Sequence, residues 1–164
     1  GAANVVVPDD VGEAVRLLEL VPRQLDPVVD LAGALRRALQ EAVRYAKDRR
    51  QHGKVIAGHQ LIAGMLADMA TQVDPSRLLV YPAASMNEAG VPAEMEAAMA
   101  KYFACEAAVT VARQAVQIHG GNGVTREFLV EKLARDAIVV PIPEGTSQSR
   151  QLLIARSLTG VNAF

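Results

Sequence analysis

The chain has 164 residues and a formal net charge of -1; 51% of its residues are hydrophobic and only 4% are aromatic. That length suits one domain with a core of small aliphatic side chains. The near-neutral charge gives no electrostatic case for nucleic acid or an anionic membrane, and no apolar run reaches the roughly 20 residues that span a bilayer. A single cysteine, Cys105, excludes an internal disulfide framework and fits a reducing, cytoplasmic setting, with the thiol as a small core residue.

The first 25 residues precede the main helical pattern. Val5–Val7, followed by Pro8, predicts the end of a short strand, and residues 12–20 predict a brief helical turn. We therefore divide the chain into a leading segment, residues 1–25, and a helical domain, residues 26–164.

The first long helix is predicted from the Asp26–Pro27 pair to Gly53. Aspartate is a favoured N-cap, and proline is favoured at the first helical position. Leu31, Leu35 and Leu39 recur at helical spacing and predict the buried face of this helix.

Two further long helices are predicted from Gly58 to Asn87 and from Pro92 to Ile118. Pro75 and Pro82 lie inside the first of these, where each removes a backbone donor and should kink or interrupt the helix. The glycine pair after Ile118 stops the other helix.

A shorter helix is predicted after Thr125, and a last helix runs from Thr146 or Ser147 to Gly160. Three long helices and two shorter ones, joined by short turns, favour an all-α fold, an up-and-down helical bundle. Alanine-rich faces of such a bundle let helices approach closely and often associate further.

Four short motifs follow one another along the chain, with a fifth, AAMAK at Ala97–Lys101, between the second and third of them. The four are YAKDRRQHG at Tyr45–Gly53, HQLIAGMLADMA at His59–Ala70, QIHGGNG at Gln117–Gly123 and RDAIVVPIPEGTSQ at Arg135–Gln148. Together, in this order, they resemble the C-terminal helical domain of the acyl-CoA dehydrogenases, over about residues 27–158.

The resemblance implies that the domain binds FAD, and that some of its cofactor-binding residues contact the FAD of a neighbouring subunit. A dinucleotide diphosphate needs donors, and Arg49 offers a permanently charged fork while Gly120 and Gly121 leave backbone donors uncovered. Taken alone, Arg49 also fits a solvated helix-end cation, and the glycines fit a plain helix C-cap. The residues implied to line the cofactor are Arg49, Gln51, His59, Gln60, Gln117, His119, Gly120, Gly121, Thr146 and Gln148.

Glu144 is implied to be the catalytic base. The family's chemistry removes an α-proton from an acyl thioester while a hydride leaves the β-carbon for the flavin, and the weakly acidic α-proton requires a positioned carboxylate. Gly145 would then let substrate pass close to the backbone. Without the resemblance, Glu144 also fits a carboxylate that stabilises a helix N-terminus.

The resemblance also implies the partners. The substrate would be an acyl-CoA or acyl-carrier thioester, the possible electron acceptor an electron-transfer flavoprotein, and the assembly a homo-oligomer, either a dimer or a tetramer. We assign no metal ligand.

The sequence departs from the family pattern at several positions. His52 stands where the family usually has Phe, and Pro143 stands where an aromatic residue is usual, so a cofactor contact and a pocket wall are altered. Residues 4–10 look like the closing strand and exit loop of a preceding β-domain. We therefore expect the chain to be the C-terminal portion of a longer enzyme and to be inactive in isolation.

Two other functions remain open. An acyl-CoA oxidase, or a dehydrogenase acting on a carrier-protein thioester, would share this architecture. A helical assembly module without catalysis would keep the bundle and lose the chemistry; the changes at His52 and Pro143 favour it, whereas Glu144, Arg49 and Gln117 argue against it.

Overall fold

The computed structural model describes residues 26–163 of the chain. The leading segment, including the predicted strand at residues 5–7 and the helical turn at residues 12–20, lies outside that range. The elements in chain order are α1 (Asp26–Asp48), β1 (Arg50–Gln51), β2 (Lys54–Val55), a 3-10 turn (Ile56–Gly58), α2 (Gln60–Glu88), α3 (Glu94–His119), a second 3-10 turn (Gly120–Val124), α4 (Leu129–Val139) and α5 (Ser147–Thr159). The predicted all-α bundle is confirmed.

The end predicted for the first helix is wrong. α1 ends at Asp48 rather than at Gly53, and β1 then pairs with β2 in a small antiparallel hairpin. The two residues between the strands, His52 and Gly53, have φ angles of 51° and 80°. Two consecutive positive φ angles are typical of the type I′ turn that joins tightly paired strands. Gly53 is therefore a hairpin residue and not a helix terminator.

The interruption predicted for the second long helix is not observed. α2 continues through both Pro75 and Pro82. Next to the first proline, the hydroxyl of Ser76 donates to the carbonyl of Gln72 at 2.8 Å, so a side chain adds to the hydrogen bonding of this turn. Buried residues lie on both sides of each proline, among them Val73 and Val80. Packing therefore outweighs the lost backbone donors.

α3 lies at the centre of the bundle and contacts α1, α2, α4 and α5. Its buried positions are mostly alanine, and Ala100, Ala104 and Ala115 are fully enclosed. Small side chains let the neighbouring backbones approach closely. Larger residues of the neighbouring helices fill the spaces between them, and fully burying a side chain such as Leu35 or Met69 contributes about 1.5–3 kcal/mol.

The ends of α5 match the prediction. Thr146 is the N-cap, and its hydroxyl accepts a hydrogen bond from the Ser149 amide at 3.2 Å. Gly160 ends the helix in the left-handed conformation that glycine adopts most easily. Among residues 26–163, no helix is both long enough and apolar enough to cross a membrane.

Candidate functional site

An open cleft of about 470 Å³ lies where the hairpin meets the start of α2 and the end of α3. Its walls combine aromatic and aliphatic side chains with basic groups and a glycine backbone. The lining residues are Tyr45, Arg49, Gln51, His52, Ile56, His59, Ile62, Ile118, His119, Gly120, Gly121 and Asn122. We call this the basic cleft.

The hairpin places two of the predicted cofactor residues at the mouth of the basic cleft. The carbonyl of Arg49 accepts from the Ile56 amide at 2.8 Å, and the carbonyl of Gln51 lies 3.2 Å from Nε2 of His59. The guanidinium of Arg49 makes no ion pair or hydrogen bond with any residue in the range 26–163. Its donors are therefore free for an anionic ligand.

Stacked rings form the floor of the basic cleft. The rings of His119 and Tyr45 stack with their centroids 4.2 Å apart, and Phe128 packs edge-on against both. Nδ1 of His119 donates to the carbonyl of Ala115 at 2.8 Å. Burial lowers the pKa of His119 below its ordinary value, which favours the neutral ring.

The glycines that follow α3 differ in backbone conformation and in the space around them. Gly120 has a φ of 59°, which side chains rarely adopt, yet nothing lies within 4 Å of a Cβ placed there or at Gly121. The backbone at this pair is therefore uncovered toward the cleft. At Gly123, by contrast, a Cβ would lie 2.5 Å from the carbonyl of Val116, so close packing of the 3-10 turn on α3 excludes a side chain.

The segment that carries Glu144 lies elsewhere, between α4 and α5; we call residues 140–146 the Glu144 loop. Glu144 is exposed and has a φ of 55°, a left-handed conformation that is costly for a residue with a side chain. Its own carbonyl accepts a hydrogen bond from Arg150, and the carbonyl of Pro143 accepts one from Lys101 at 2.7 Å. Within the described residues, no donor is hydrogen-bonded to the Glu144 carboxylate.

Cys105 also contacts the Glu144 loop. Its thiol donates to the carbonyl of Val140 at 3.3 Å, and burial raises the pKa of Cys105, which favours the protonated thiol. The expectation that this cysteine is a small core residue is confirmed, because it is 2% exposed.

The remaining predicted residues of this region have local structural contacts. Gly145 has a φ of 96°, which residues with a side chain rarely adopt, and a Cβ there would lie 3.2 Å from the guanidinium of Arg150, so a substitution would strain the backbone and crowd that side chain. Thr146 caps α5, while Gln148 is exposed on its first turn.

The structure brings together six of the ten predicted cofactor residues. These six, all in the basic cleft, are Arg49, Gln51, His59, His119, Gly120 and Gly121. Gln60 and Gln117 are exposed on the flanking helices without lining the cleft, whereas Thr146 and Gln148 belong to the Glu144 region. Lys101 contacts the Glu144 loop and His119 lines the cleft; these two residues are separated by roughly 27 Å along α3, at about 1.5 Å per residue.

Four residues at these two places were not assigned a role from the sequence. Tyr45 stacks on His119, and its hydroxyl accepts from Asn122 at 2.9 Å. Lys101 and Arg150 hold the Glu144 loop. Tyr45, Asn122 and Lys101 each lie within one of the motifs quoted above, so the sequence contained a signal for them but not for their contacts.

The chain is similar to proteins of known class over most of its length. The family model described as the acyl-CoA dehydrogenase C-terminal domain matches residues 27–159. A subunit of the caffeyl-CoA reductase–Etf complex of Acetobacterium woodii is 48% identical over 77% of this chain and 33% of its own length. An acyl-CoA dehydrogenase of Bacillus subtilis is 41% identical over 96% of this chain and 42% of its own length.

The fold comparison agrees. The structure of butyryl-CoA dehydrogenase from Megasphaera elsdenii superposes with a TM-score of 0.82 at 35% identity, covering 90% of this chain and 38% of that one. The chain thus spans between a third and somewhat over two-fifths of the length of these relatives. With the matched family model, the bundle and the ordered motifs in agreement, the chain belongs to the acyl-CoA dehydrogenase family and carries its C-terminal helical domain.

Proposed function

We propose that this chain is the flavin-binding, base-bearing domain of an enzyme that removes hydrogen from the α- and β-carbons of an acyl-CoA thioester. One observation carries the proposal: the Glu144 carboxylate is exposed and unpartnered among the described residues, on a backbone held at a φ of 55°. A costly backbone conformation that the surroundings maintain is typical of functional positions.

Proton abstraction is the step that Glu144 would perform. A carboxylate acts as a general base only when its oxygens are free and lie within reach of the proton. The loop is held by hydrogen bonds to the backbone carbonyls of Pro143 and Glu144. Both oxygens of the Glu144 carboxylate therefore stay available. A side chain at Gly145 would crowd the Arg150 guanidinium, so glycine leaves the bond between Arg150 and the Glu144 carbonyl undisturbed.

The basic cleft fits the diphosphate of FAD. Arg49 offers unpaired charged donors, Gln51 and His59 add polar groups, and the glycine pair leaves its backbone uncovered. Stacked Tyr45 and His119 give a flat apolar floor. When bound, FAD would supply the acceptor for the β-hydride; this chain's residues would hold its diphosphate and orient it.

The separation of the two regions supports a homo-oligomer, a dimer or a tetramer. Because the basic cleft and the Glu144 loop lie far apart along α3, one copy would hold the cofactor diphosphate while Glu144 of another copy would face the reacting carbons. Apolar side chains that are open in the single chain would be covered in such an assembly, including Leu61 at 84% exposure and Leu78 at 71%. Light scattering tests this, and a strict monomer at high concentration would oppose it.

We propose an electron-transfer flavoprotein as the electron acceptor. The relative from A. woodii is named as a subunit of a complex with such a protein, and it is 48% identical to this chain. Dioxygen is the alternative acceptor, which would make the enzyme an oxidase.

The test is flavin reduction in the full-length protein. Under anaerobic conditions a saturated acyl-CoA should bleach the flavin absorbance of the FAD-loaded enzyme, and an electron-transfer flavoprotein should restore it faster than air does. Faster reoxidation by air would identify an oxidase. A colourless protein that neither binds added FAD nor bleaches would identify the assembly module and contradict the proposed catalysis.

A further inference from the structure

Lys101 is a buried cation of α3. It is 4% exposed in the middle of the bundle, and it forms no ion pair with a carboxylate among residues 26–163. Burying an unpaired ammonium costs several kcal/mol unless hydrogen bonds compensate it. Its Nζ instead donates to two backbone carbonyls, that of Pro143 at 2.7 Å and that of Val140 at 3.4 Å.

Both acceptors belong to the Glu144 loop. The Pro143 carbonyl lies in the peptide unit immediately before Glu144, and Arg150 binds the carbonyl immediately after it. The Pro141 carbonyl accepts from the Ser147 amide at 3.1 Å, which closes the loop onto α5. Most carbonyls of the loop therefore accept a hydrogen bond, and the two carbonyls on either side of the Glu144 Cα both accept from cations.

The two cations differ in how firmly they are themselves held. Arg150 is on α5 and only half-buried, at the periphery of the bundle. Lys101 is on α3, the helix that the other helices surround, between the enclosed Ala100 and Ala104. Lys101 therefore links the position of the loop to the central helix of the bundle.

We propose that Lys101 is the positioning residue of Glu144: it fixes the backbone of the loop from the core and so sets where the carboxylate stands relative to the substrate α-carbon. This rests on the proposed function, in which Glu144 is the base. Lys101 touches neither substrate nor cofactor in this scheme. Misplacing a catalytic group by about 1 Å can cost about 100-fold in rate, so losing the tether should be visible in the proton-abstraction step.

The test is a double-mutant cycle in the full-length, FAD-loaded enzyme. Lys101→Met keeps most of the aliphatic stem and removes the donors. We expect it to slow anaerobic flavin reduction by saturating acyl-CoA about 10- to 100-fold with Glu144 present, and to have no further effect in a Glu144→Gln background. Lys101→Gln retains an N–H donor and should keep more of the rate; it also serves as the second variant if the methionine variant does not fold.

A second readout does not depend on activity. Hydrogen exchange of the peptide spanning residues 140–147 should become faster in Lys101→Met, while exchange in the first half of α2 should not change. Flavin affinity should also stay at the wild-type value.

The outcomes separate this inference from the function on which it rests. Equal slowing in both backgrounds, no slowing at all, or unchanged exchange in the loop would each overturn the role of Lys101 while leaving the base in place. A Glu144→Gln variant that reduces its flavin at the wild-type rate would instead overturn the proposed base.

Discussion

The basic cleft and the Glu144 loop differ in which groups are bonded within the protein and which are left available. In the cleft, packed rings and a short hairpin form the surface, and the charged donors of Arg49 have no partner among residues 26–163. In the loop, cations from α3 and α5 bind the backbone carbonyls, and no donor within the described part of the chain bonds the carboxylate of Glu144. In the proposed function the cleft would bind the anionic diphosphate and the loop would hold the base, so mutations in the two regions should affect cofactor binding and reaction rate separately.

The largest effect is expected from Glu144→Gln, which keeps the shape of the side chain and removes the proton acceptor. The rate of flavin reduction by an acyl-CoA should fall by roughly 10²–10⁴-fold, while FAD affinity should stay the same. Anaerobic stopped-flow absorbance of the full-length enzyme measures the rate. Glu88→Gln, an exposed carboxylate at the end of α2, is the control and should reduce at the wild-type rate. Weaker flavin binding in Glu144→Gln would break the separation of the two regions.

Arg49→Ala should have the converse effect. Losing charge-assisted hydrogen bonds to the diphosphate should weaken FAD binding by roughly 1.5–3 kcal/mol, while the rate at saturating flavin should stay close to wild type. Fluorescence titration of the flavin-free enzyme measures the affinity. Arg113→Ala removes an exposed arginine of α3 outside the cleft and serves as the control. Unchanged affinity in Arg49→Ala would show that the diphosphate binds elsewhere.

The buried ring of the cleft should make stability depend on pH. The folded pKa of His119 lies below its unfolded value of about 6.5, so below that pH the unfolded chain binds a proton that the folded chain does not. The free energy of unfolding should therefore fall as the pH drops below about 6.5, by at most about 1.4 kcal/mol per pH unit from this group.

Urea unfolding between pH 5 and pH 8 measures that slope. His119→Phe keeps a ring against Tyr45 and should flatten the curve. Phe128→Leu alters the packing of the same ring cluster without removing the titrating group, so it should lower stability at every pH and keep the slope. Identical slopes for wild type and His119→Phe would show that His119 does not titrate as its burial predicts.

The smallest effect concerns the hairpin that carries the cleft donors. Gly53→Ala places a Cβ at a φ of 80° and should lower the free energy of unfolding by about 1 kcal/mol. Gly64→Ala is the matched control: it lies in α2 with open space around it, so the same change should stabilise by roughly 0.5–1 kcal/mol. Thermal unfolding measures both variants. A change in stability of the same sign in Gly53→Ala and Gly64→Ala would contradict the type I′ turn.

Much of the fold and part of the site could be predicted from the sequence because their signals are local. Thr146 and Gly160 bracket α5 as predicted, since a hydroxyl cap and a left-handed glycine act on the residues next to them. The ordered motifs likewise identified the family and the bundle. The end of α1 was misplaced because Gly53 suits either a helix stop or a hairpin, and only the pairing of β1 with β2 distinguishes these.

The sequence by itself therefore determined the family and, apart from the end of α1, the order of the helices, and it supplied the candidate site residues. Tertiary structure alone decided which of those residues meet. Gln51 and His119 share the basic cleft, whereas Thr146 lies with Glu144, because contact between distant positions depends on how helices pack around α3. It also decided that Lys101 is buried and bonded to backbone carbonyls: a lysine in a helix predicts a solvated side chain, and only the packing of the Glu144 loop against α3 removes it from water.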